Sequence, residues 1–263
     1  MCVVRLASWN LEWLNRREGH GVVKRAEEDY ARLRRYAEAL RADVIAFQEV
    51  DGPDAARLVF APSRFDVYVT ADRDPQRAGF AVRRGLPATQ HPDVASLSQA
   101  GLRSGADVTV TACGRDVRLL AVHLKSGCFE GALGQGTRAC VKLGAQVPAL
   151  EAWIDARARE ATPFAVLGDF NRRFLPNDTL FPELDDGNPP DADLTDAGAG
   201  VRSTCWGGKY PDLIDHIVLD RRAGRWVRPG SFAVALYDAA DLQHRAKLSD
   251  HCPITVELEP GRR

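Results

Sequence analysis

Polar side chains stand at the ends of most of the apolar runs in this sequence. They are carboxylates, carboxamides and imidazoles, the groups that bind metal ions and transfer protons. The set consists of Asn10 with Glu12, Glu49, His123, Asp169 with Asn171, Asp215, and the adjacent pair Asp250 and His251. Burying so many polar groups without partners would cost about 1–3 kcal/mol each. We therefore expect them to meet at one rim of the fold, where an oxygen-rich set with few nitrogens suits Mg²⁺ or Mn²⁺.

Each position also has an ordinary structural explanation. Asn10 could end a strand and cap a turn, Glu49 could be a solvated strand end, and His123 could be a core histidine with a satisfied ring. Asp169 could be a turn residue, and Asp250 an N-terminal cap. For any single residue this explanation is the better one. The recurrence of the pattern along the chain favours a shared site.

The elements that must position these side chains are mostly short β-strands. Apolar or alternating runs predict strands over residues 3–9, 43–50, 65–70, 79–83, 107–112, 116–124, 163–169, 213–220, 231–237 and 253–258. The strands around the sequence CGRD are predicted to form a hairpin. Helices are predicted over 24–41 and 138–160, and Pro148 is expected to start or kink part of the second. Residues 171–212, rich in Pro, Gly and Asp, predict a long irregular loop.

This order of elements predicts an α/β fold in which two sheets pack face to face with helices outside. Because neither a repeat nor a linker divides the chain, residues 1–263 are expected to form one domain. The formal net charge of -1 does not indicate a nucleic-acid binder, although a local basic groove is compatible with it. No apolar run reaches the ~18–20 residues of a membrane span, so we expect no transmembrane segment.

The six cysteines form neither a C-x-x-C pair nor a cluster with histidines. Cys128 and Cys140 bracket a glycine-rich loop and could form a disulfide, which an oxidising compartment would permit. The alternative is six reduced, mostly buried thiols. The sequence starts in a strand-like segment without a signal peptide. The bridge favours a periplasmic or secreted protein with its signal removed, and the alternative is a cytoplasmic one.

Six motifs of the sequence resemble, in order, those of the endonuclease/exonuclease/phosphatase superfamily, the DNase I-like proteins. The resemblance runs from Asn10 to Leu258, and the motifs read SWNLEWL, IAFQEV, VHLKS, LGDFN, IDHIVL and LSDHCPITVEL. The resemblance implies a four-layer α/β sandwich, with two mixed, mostly antiparallel sheets packed face to face and flanked by helices. It also implies a metal-dependent phosphoric ester hydrolase, with the site at one rim of the sheets.

The resemblance implies a ligand set for Mg²⁺ or Mn²⁺. Glu49 would be the principal ligand, helped by Asn10 and by Glu12 or Asp250. Ca²⁺ is the candidate accessory ion. The acidic stretch 183–196 could hold one, but it lacks EF-hand spacing and is better explained as a solvated loop.

The resemblance also implies catalytic roles. Asp169 would orient or deprotonate the attacking water, and Asn171 would hold a phosphate oxygen and fix the Asp169 carboxylate. His251 would contact the scissile phosphate and be oriented by Asp215. His123 would assist the leaving group. Charge builds on phosphate oxygens during hydrolysis, and a cation, an imidazolium and a carboxamide would neutralise it.

Basic residues next to these motifs are candidates for phosphate contacts. Lys125 follows His123, and Arg172 with Arg173 follows Asn171. For each, solvated surface charge is an equally good explanation. Further basic residues that could line a nuclease groove are Arg16, Arg17, Arg77, Arg83, Arg84, Arg103, Arg245 and Lys247.

In the family that the motifs resemble, a histidine at the position of His123 is typical of the deoxyribonucleases and sphingomyelinases. The resemblance therefore implies a DNA endonuclease of low sequence selectivity, acting as a monomer on DNA or another phosphodiester. Asp212 and Leu213 stand where abasic-site enzymes have a tryptophan–arginine pair, which argues against abasic-site repair. The alternative is a sphingomyelinase-like or small-molecule phosphodiesterase or phosphatase. The acidic stretch would favour such substrates if it bordered the site, because it would repel polyanions. A third alternative is a non-enzymatic binding protein of the same fold, which the intact set of polar residues disfavours.

Overall fold

The computed structural model describes residues 2–16, 21–99 and 101–261. The strands are β1 Val4–Leu14, β2 Val44–Val50, β3 Phe65–Val69, β4 Arg77–Arg83, β5 Ala88–Gln90, β6 Ala106–Ala112, β7 Arg115–His123, β8 Phe164–Asp169, β9 Thr195–Asp196, β10 Asp215–Leu219, β11 Ala233–Val234 and β12 Ile254–Leu258. The α-helices are α1 Glu27–Ala39, α2 Gly52–Val59, α3 Arg138–Arg159, α4 Leu180–Leu184 and α5 Arg221–Gly224. Short 3₁₀ helices span Ala95–Ser98, Pro190–Ala192, Cys205–Gly208 and Ala239–Lys247.

The strands form two mixed sheets of six. One has the order β11-β12-β1-β2-β4-β3 and the other β5-β6-β7-β8-β10-β9. Each has a parallel pair near its centre, β1 with β2 and β7 with β8, and its remaining pairs are antiparallel. The carboxyl ends of a parallel pair lie at the same edge of their sheet. The polar side chains predicted from the sequence stand near the carboxyl ends of these four strands. The arrangement therefore brings those of β1 and β2 together at one edge, and likewise those of β7 and β8.

Apolar side chains divide the molecule into layers. The central core lies between the sheets and takes inward-facing residues from both, such as Leu6 and Phe80 from one and Leu119 and Leu167 from the other. The outer face of the first sheet packs against α1 and α2, and that of the second against α3. The predicted four-layer sandwich is therefore confirmed.

Several elements differ from the sequence prediction. The first helix is shorter than 24–41 and spans Glu27–Ala39, whereas α3 continues through Pro148 as one helix. The predicted strand 231–237 is reduced to Ala233–Val234, because only these two residues pair with β12. Helix α2 and strand β5 were not predicted. The stretch 171–212 is mostly irregular, but it contains α4 and the two-residue strand β9, which pairs with β10.

The predicted hairpin at CGRD is present between β6 and β7. Its two turn residues, Cys113 and Gly114, both have positive φ, 55° and 72°. A two-residue turn of this type matches the twist of the flanking strands.

All six cysteines are in disulfides. Cys128 and Cys140 are joined with an S–S distance of 2.02 Å. The other bridges, Cys2–Cys113 and Cys205–Cys252, were not predicted, and they join residues 111 and 47 positions apart. Within the described residues, none of the helices is long and apolar enough to cross a membrane.

Candidate active site

Strand periodicity brings four of the predicted side chains to one end of the sandwich. Side chains alternate between the two faces of a strand, so every second residue faces the central core. On β8, Ala165 and Leu167 face this core, and Asp169 is the next inward position. The same alternation leads to Asn10 on β1, His123 on β7 and Asp215 on β10, all of them buried. Asp215 lies directly opposite Asp169 in the antiparallel pair of β10 and β8.

Glu49 reaches the site by a different route. Ile45 and Phe47 of β2 face the outer core, and regular alternation would place Glu49 on that same side. The pairing of β2 with β4 shifts register between Phe47 and Val50, and Glu49 has φ of 60°. This irregularity turns the carboxylate inward, where it accepts hydrogen bonds from Asn10 Nδ2 at 3.2 Å and from Trp13 N at 3.1 Å.

Left-handed backbone is concentrated around the site. Glu12, Trp13, Glu49 and Asn171 have φ of 42°, 54°, 60° and 52°, values that non-glycine residues rarely adopt. Such conformations typically cost about 1–3 kcal/mol each and persist where the surrounding structure requires them. Their occurrence at four residues around one cleft supports a functional role for this end of the sandwich.

Asp169 is buried and held by two donors. Its Oδ2 accepts from Asn10 Nδ2 at 3.0 Å, and its Oδ1 accepts from the backbone N–H of Asn171 at 2.8 Å. The Asn171 side chain donates to the carbonyl of Leu124 at 3.1 Å. Burial raises the pKa of Asp169 to about 7, with the nearby charge of His251 acting in the opposite direction. The carboxyl group can therefore take up a proton near neutral pH.

His251 forms an ion pair with Asp215. Its Nδ1 lies 2.7 Å from Asp215 Oδ2, and its Nε2 lies 3.8 Å from Asp169 Oδ2. Burial alone would lower the pKa of His251, but the charge and hydrogen bond of Asp215, with further help from Asp169 and Asp250, raise it well above the usual value. The ring is therefore held as an imidazolium.

His123 has the opposite character. Its Nε2 lies 3.7 Å from both Glu49 Oε1 and Asp169 Oδ2, so it shares the floor of the site. Two guanidinium nitrogens of Arg103 lie 3.1 Å from its two ring nitrogens. Burial and the charges of Arg103 and His251 lower the pKa of His123 well below its usual value. The ring is therefore neutral.

Glu49 and Asp250 line the cleft, and the Glu12 carboxylate lies beside Asp250. Glu49 Oε2 accepts from Gln76 at 2.7 Å, and Glu12 Oε2 accepts from the backbone N–H of Asp250 at 2.9 Å. Burial and the charge of Asp250, with a smaller contribution from Glu49, raise the pKa of Glu12 to about 7. This mutual repulsion is what a divalent cation relieves, and oxygen donors are the ligands that Mg²⁺ and Mn²⁺ prefer. The residues present therefore fit such an ion.

A second group offers three ligand atoms within 4.8 Å of one another. Among the described residues it is the only cluster of three or more His, Cys, Asp or Glu side chains with that spacing, and it consists of Asp169, Asp215 and His251. The hydrogen bond between His251 and Asp215 already uses one atom of each. This hydrogen bond leaves fewer free ligand atoms in the group for a cation.

A cleft of about 640 Å³ is lined by Glu49, His123, Asp169, Asn171, Asp215, Asp250 and His251. Its walls carry cations and aromatic rings, namely Arg103, Arg173, Arg245, Trp13, Phe129, Trp206 and Tyr210. The Arg173 guanidinium lies 5.7 Å from the centroid of Phe129, and that of Arg245 lies 4.9 Å from Trp206. Asp212 also lines the cleft, but it pairs with Arg202 at 3.1 Å, so the three arginines give the cleft positive charge that suits a phosphate ester.

The structure corrects the prediction for Arg172. Its side chain is 0% exposed and forms an ion pair with Asp178, which is 3% exposed. Its guanidinium also donates to the carbonyls of Cys128 and Gly131. The left-handed Asn171 directs Arg172 into the fold, so it cannot reach a substrate in the cleft.

The other basic residues divide between the cleft and the remaining surface. Arg173 lines the cleft, as do Arg103 and Arg245. Lys125 does not, and its ammonium group donates to the carbonyl and hydroxyl oxygens of Ser126. Predicted groove residues that do not line it are Arg16, Arg77, Arg83, Arg84 and Lys247. Arg17 lies outside the described residues.

The acidic stretch 183–196 does not border the cleft. None of the described cleft-lining residues belongs to it. Three of its carboxylates have partners away from the cleft: Asp185 accepts from the backbone of Leu194, Asp193 pairs with Arg221, and Asp196 contacts His216. The stretch therefore gives no reason to exclude polyanionic substrates.

Some residues of the site were not singled out from the sequence. Gln76 and Trp13 hold the Glu49 carboxylate, and Ser249 donates to the carbonyl of Asn10 at 2.7 Å. Trp13 lies in the motif SWNLEWL and Ser249 in LSDHCPITVEL, so their closeness in sequence to Asn10 and Asp250 could have suggested them. Gln76 carries no local signal. The sequence suggests Arg103 only as a groove residue, because its contact with His123 depends on the tertiary fold.

The family model described as "Endonuclease/Exonuclease/phosphatase family" matches residues 7–251. This chain belongs to that family. The match extends over nearly all of the elements described above, and membership implies a phosphoric ester hydrolase. Enzymes of the family typically use divalent metal ions, which is consistent with the carboxylates around Glu49.

Solved structures share the fold at low sequence identity. TDP2 from D. rerio, in complex with single-strand DNA product, is 18% identical with a TM-score of 0.67, and the alignment covers 98% of this chain and 99% of that one. The human Nocturnin catalytic domain with bound sulfate is 16% identical with a TM-score of 0.64, covering 98% and 94%. An endonuclease/exonuclease/phosphatase from Bacteroides vulgatus is 14% identical with a TM-score of 0.64, covering 99% and 100%. A search of curated proteins finds no significant match.

Proposed function

We propose that this protein is a divalent-metal-dependent phosphodiesterase that cleaves DNA with little sequence selectivity. The observation that carries the proposal is the convergence of Glu49, Asp250, the buried Asp169 and the Asp215–His251 ion pair in one cleft. Their charges match the needs of phosphodiester hydrolysis, in which water attacks phosphorus and charge develops on the phosphate oxygens.

Glu49 is the principal candidate to hold Mg²⁺ or Mn²⁺, with Asn10 and either Glu12 or Asp250 as further ligands. A bound ion would supply Lewis-acid stabilisation of the phosphate. The protein contributes a preorganised carboxylate, because Glu49 is held by donors from Trp13 and Gln76.

Asp169 is the proposed general base. Its raised pKa suits proton uptake from water near neutral pH, and general base assistance typically contributes about 10²–10⁴ in rate. Asn10 and the backbone of Asn171 fix the orientation of the carboxylate. The Asn171 amide, adjacent to the cleft, is proposed to contact a phosphate oxygen.

The two histidines are proposed to have different roles. His251, held as a cation by Asp215, would donate to a non-bridging phosphate oxygen. His123 is neutral and would assist the leaving group by hydrogen bonding, while the adjacent Arg103 supplies the positive charge.

Two observations support DNA as the substrate. The walls carry three arginines and four aromatic side chains, which suits a chain of phosphates and bases. The structurally similar TDP2 from D. rerio was solved with single-strand DNA product. A monomer would suffice, since every residue invoked belongs to one chain.

The direct test is cleavage of supercoiled plasmid and of labelled single-stranded DNA in Mg²⁺, Mn²⁺, Ca²⁺ or EDTA. We expect cleavage in Mg²⁺ or Mn²⁺, none in EDTA, and none with Asp169→Ala. A parallel panel contains sphingomyelin, inositol phosphates and bis-p-nitrophenyl phosphate. Turnover of a panel member with both DNAs left intact would contradict the DNA assignment. Inactivity on every substrate would contradict the hydrolase itself.

A further inference from the structure

One arginine outside the cleft contacts two of the segments that carry candidate metal ligands. The Arg25 guanidinium donates to the carbonyls of Leu11, Glu12 and Trp13 at the end of β1, at 3.1, 2.9 and 3.2 Å. It also donates to the carbonyl of Lys247 at 2.8 Å and to that of Leu248. One side chain therefore serves five backbone acceptors in two segments that are distant in sequence.

The first of these segments has an unusual backbone. Glu12 and Trp13 are consecutive non-glycine residues with positive φ, and the pairing of β1 with β2 shifts register between Asn10 and Leu14. This left-handed turn directs successive carbonyls toward Arg25 instead of a neighbouring strand. A buried carbonyl without a donor costs about 1–3 kcal/mol. Arg25 therefore stabilises a conformation that would otherwise be unfavourable.

This turn determines where two carboxylates lie. Its Trp13 N–H donates to Glu49 at 3.1 Å. Its Glu12 side chain accepts from the backbone N–H of Asp250 at 2.9 Å. If the turn relaxed, Glu49 would lose a donor, and Glu12 would lose its position beside Asp250.

The second segment leads directly to the catalytic histidine. Leu248, whose carbonyl accepts from Arg25, is followed by Ser249, and the Ser249 hydroxyl accepts from the backbone N–H of His251 at 3.1 Å. Arg25 does not line the cleft. It can therefore influence substrate only through the segments that it joins.

We propose that Arg25 is a positioning residue that sets the distance between Glu12 and Asp250 and orients Glu49 for the metal ion. The inference rests on the proposed function, because it assumes that these carboxylates bind a divalent cation. Residues that orient metal ligands typically contribute about 10–100-fold to metal affinity or activity.

The test is Arg25→Lys, which keeps the positive charge but offers one nitrogen where arginine offers a planar set of donors. We expect the Mn²⁺ dissociation constant, measured by electron paramagnetic resonance without substrate, to rise about tenfold. On DNA, kcat is expected to fall by about tenfold to a hundredfold while KM stays within about twofold. A merely structural arginine would lower thermal stability without moving the metal affinity.

Arg118→Lys is the matched control. The Arg118 guanidinium donates to both carboxylate oxygens of the buried Asp107. Arg118 lies in register with Phe164, the first residue of β8, at the opposite end of that strand from Asp169. Its replacement should lower the melting temperature and leave Mn²⁺ affinity unchanged.

The outcomes separate this inference from the proposed function. A wild-type protein that neither binds Mn²⁺ nor hydrolyses DNA would overturn both. An active wild type with equal Mn²⁺ affinity in folded Arg25→Lys would overturn the role of Arg25 alone. If Arg25→Lys does not fold, amide hydrogen exchange on the wild type replaces it. The free energy of opening, measured from the exchange of the Trp13 and Asp250 amide hydrogens, should then be the same for both residues. Different opening free energies would overturn the inference.

Discussion

The same substitution at two adjacent arginines should lower stability at one position and DNA binding at the other. Arg172 is fully buried and bonded to Asp178, whereas Arg173 is 29% exposed on the cleft wall, 3.5 Å from a Glu130 side chain that is itself 64% exposed. The perturbation is Arg172→Met in one variant and Arg173→Met in the other. Each removes one positive charge at neighbouring positions, so net charge is matched.

The structure gives the expected size of each effect. Arg172→Met leaves Asp178 as a buried charge without its ion-pair partner, which costs about 3–5 kcal/mol. A loss of about 4 kcal/mol corresponds to a fall of about 8–16 °C in Tm for a chain of this size. Arg173→Met breaks only a solvent-exposed ion pair, worth about 0–1 kcal/mol. Its effect should appear in binding, with a raised KM for DNA and a salt-dependence slope reduced by about 1.

Urea unfolding followed by circular dichroism measures the first effect, and DNA cleavage at a series of salt concentrations measures the second. At a temperature where Arg172→Met remains folded, its KM for DNA should match that of the wild type. An Arg172→Met protein with wild-type unfolding free energy and a raised KM would refute the reasoning. Arg172 would then be the phosphate contact that its sequence position suggested.

Three further predictions concern the site and its supports. Folding raises the pKa of Asp169 to about 7, so this group contributes stability that is lost as pH rises from about 4 toward 7. The metal-free Asp169→Asn variant should therefore melt at a higher temperature than the wild type at pH 8. The difference in melting temperature should shrink toward pH 4. Gly168→Ala should lower Tm severely or prevent folding, because Gly168 has φ of 150° and an added Cβ would lie 2.0 Å from the Val122 carbonyl oxygen. A wild-type melting curve for this variant would contradict the pairing of β7 with β8. Replacing Cys128 and Cys140 together by serine should lower the free energy of unfolding, measured with urea, by about 3 kcal/mol, because their bridge closes a loop with a sequence separation of 12. An unchanged urea midpoint, or free thiols in the wild type by mass spectrometry, would contradict the bridge.

Much of the fold followed from local sequence pattern. Apolar or alternating runs identified the long strands, because the central strands are buried between the sheets on one face and under helices on the other. The turn at Cys113 was evident from its flanking strands. Helix ends and the strand 231–237 were less well predicted. They depend on capping and on pairing partners elsewhere in the chain.

For the candidate site, the sequence determined which side chains stand at strand ends. Asn10, His123, Asp169 and Asp215 continue the inward-facing alternation of their strands, so periodicity alone places them on the core side. Glu49 breaks this rule, because it reaches the site through a register shift and a left-handed backbone that periodicity cannot predict.

Only the tertiary structure decided which distant groups meet. The left-handed Asn171 sends Arg172 into the fold and leaves Arg173 at the cleft, although both follow the same motif. Arg103 contacts His123 from another loop, and Arg25 joins the end of β1 to the segment before His251. The residue types and their order along the chain determined the chemistry that is available. Their distances, and therefore which charges raise or lower each pKa, come from long-range packing that local sequence does not encode.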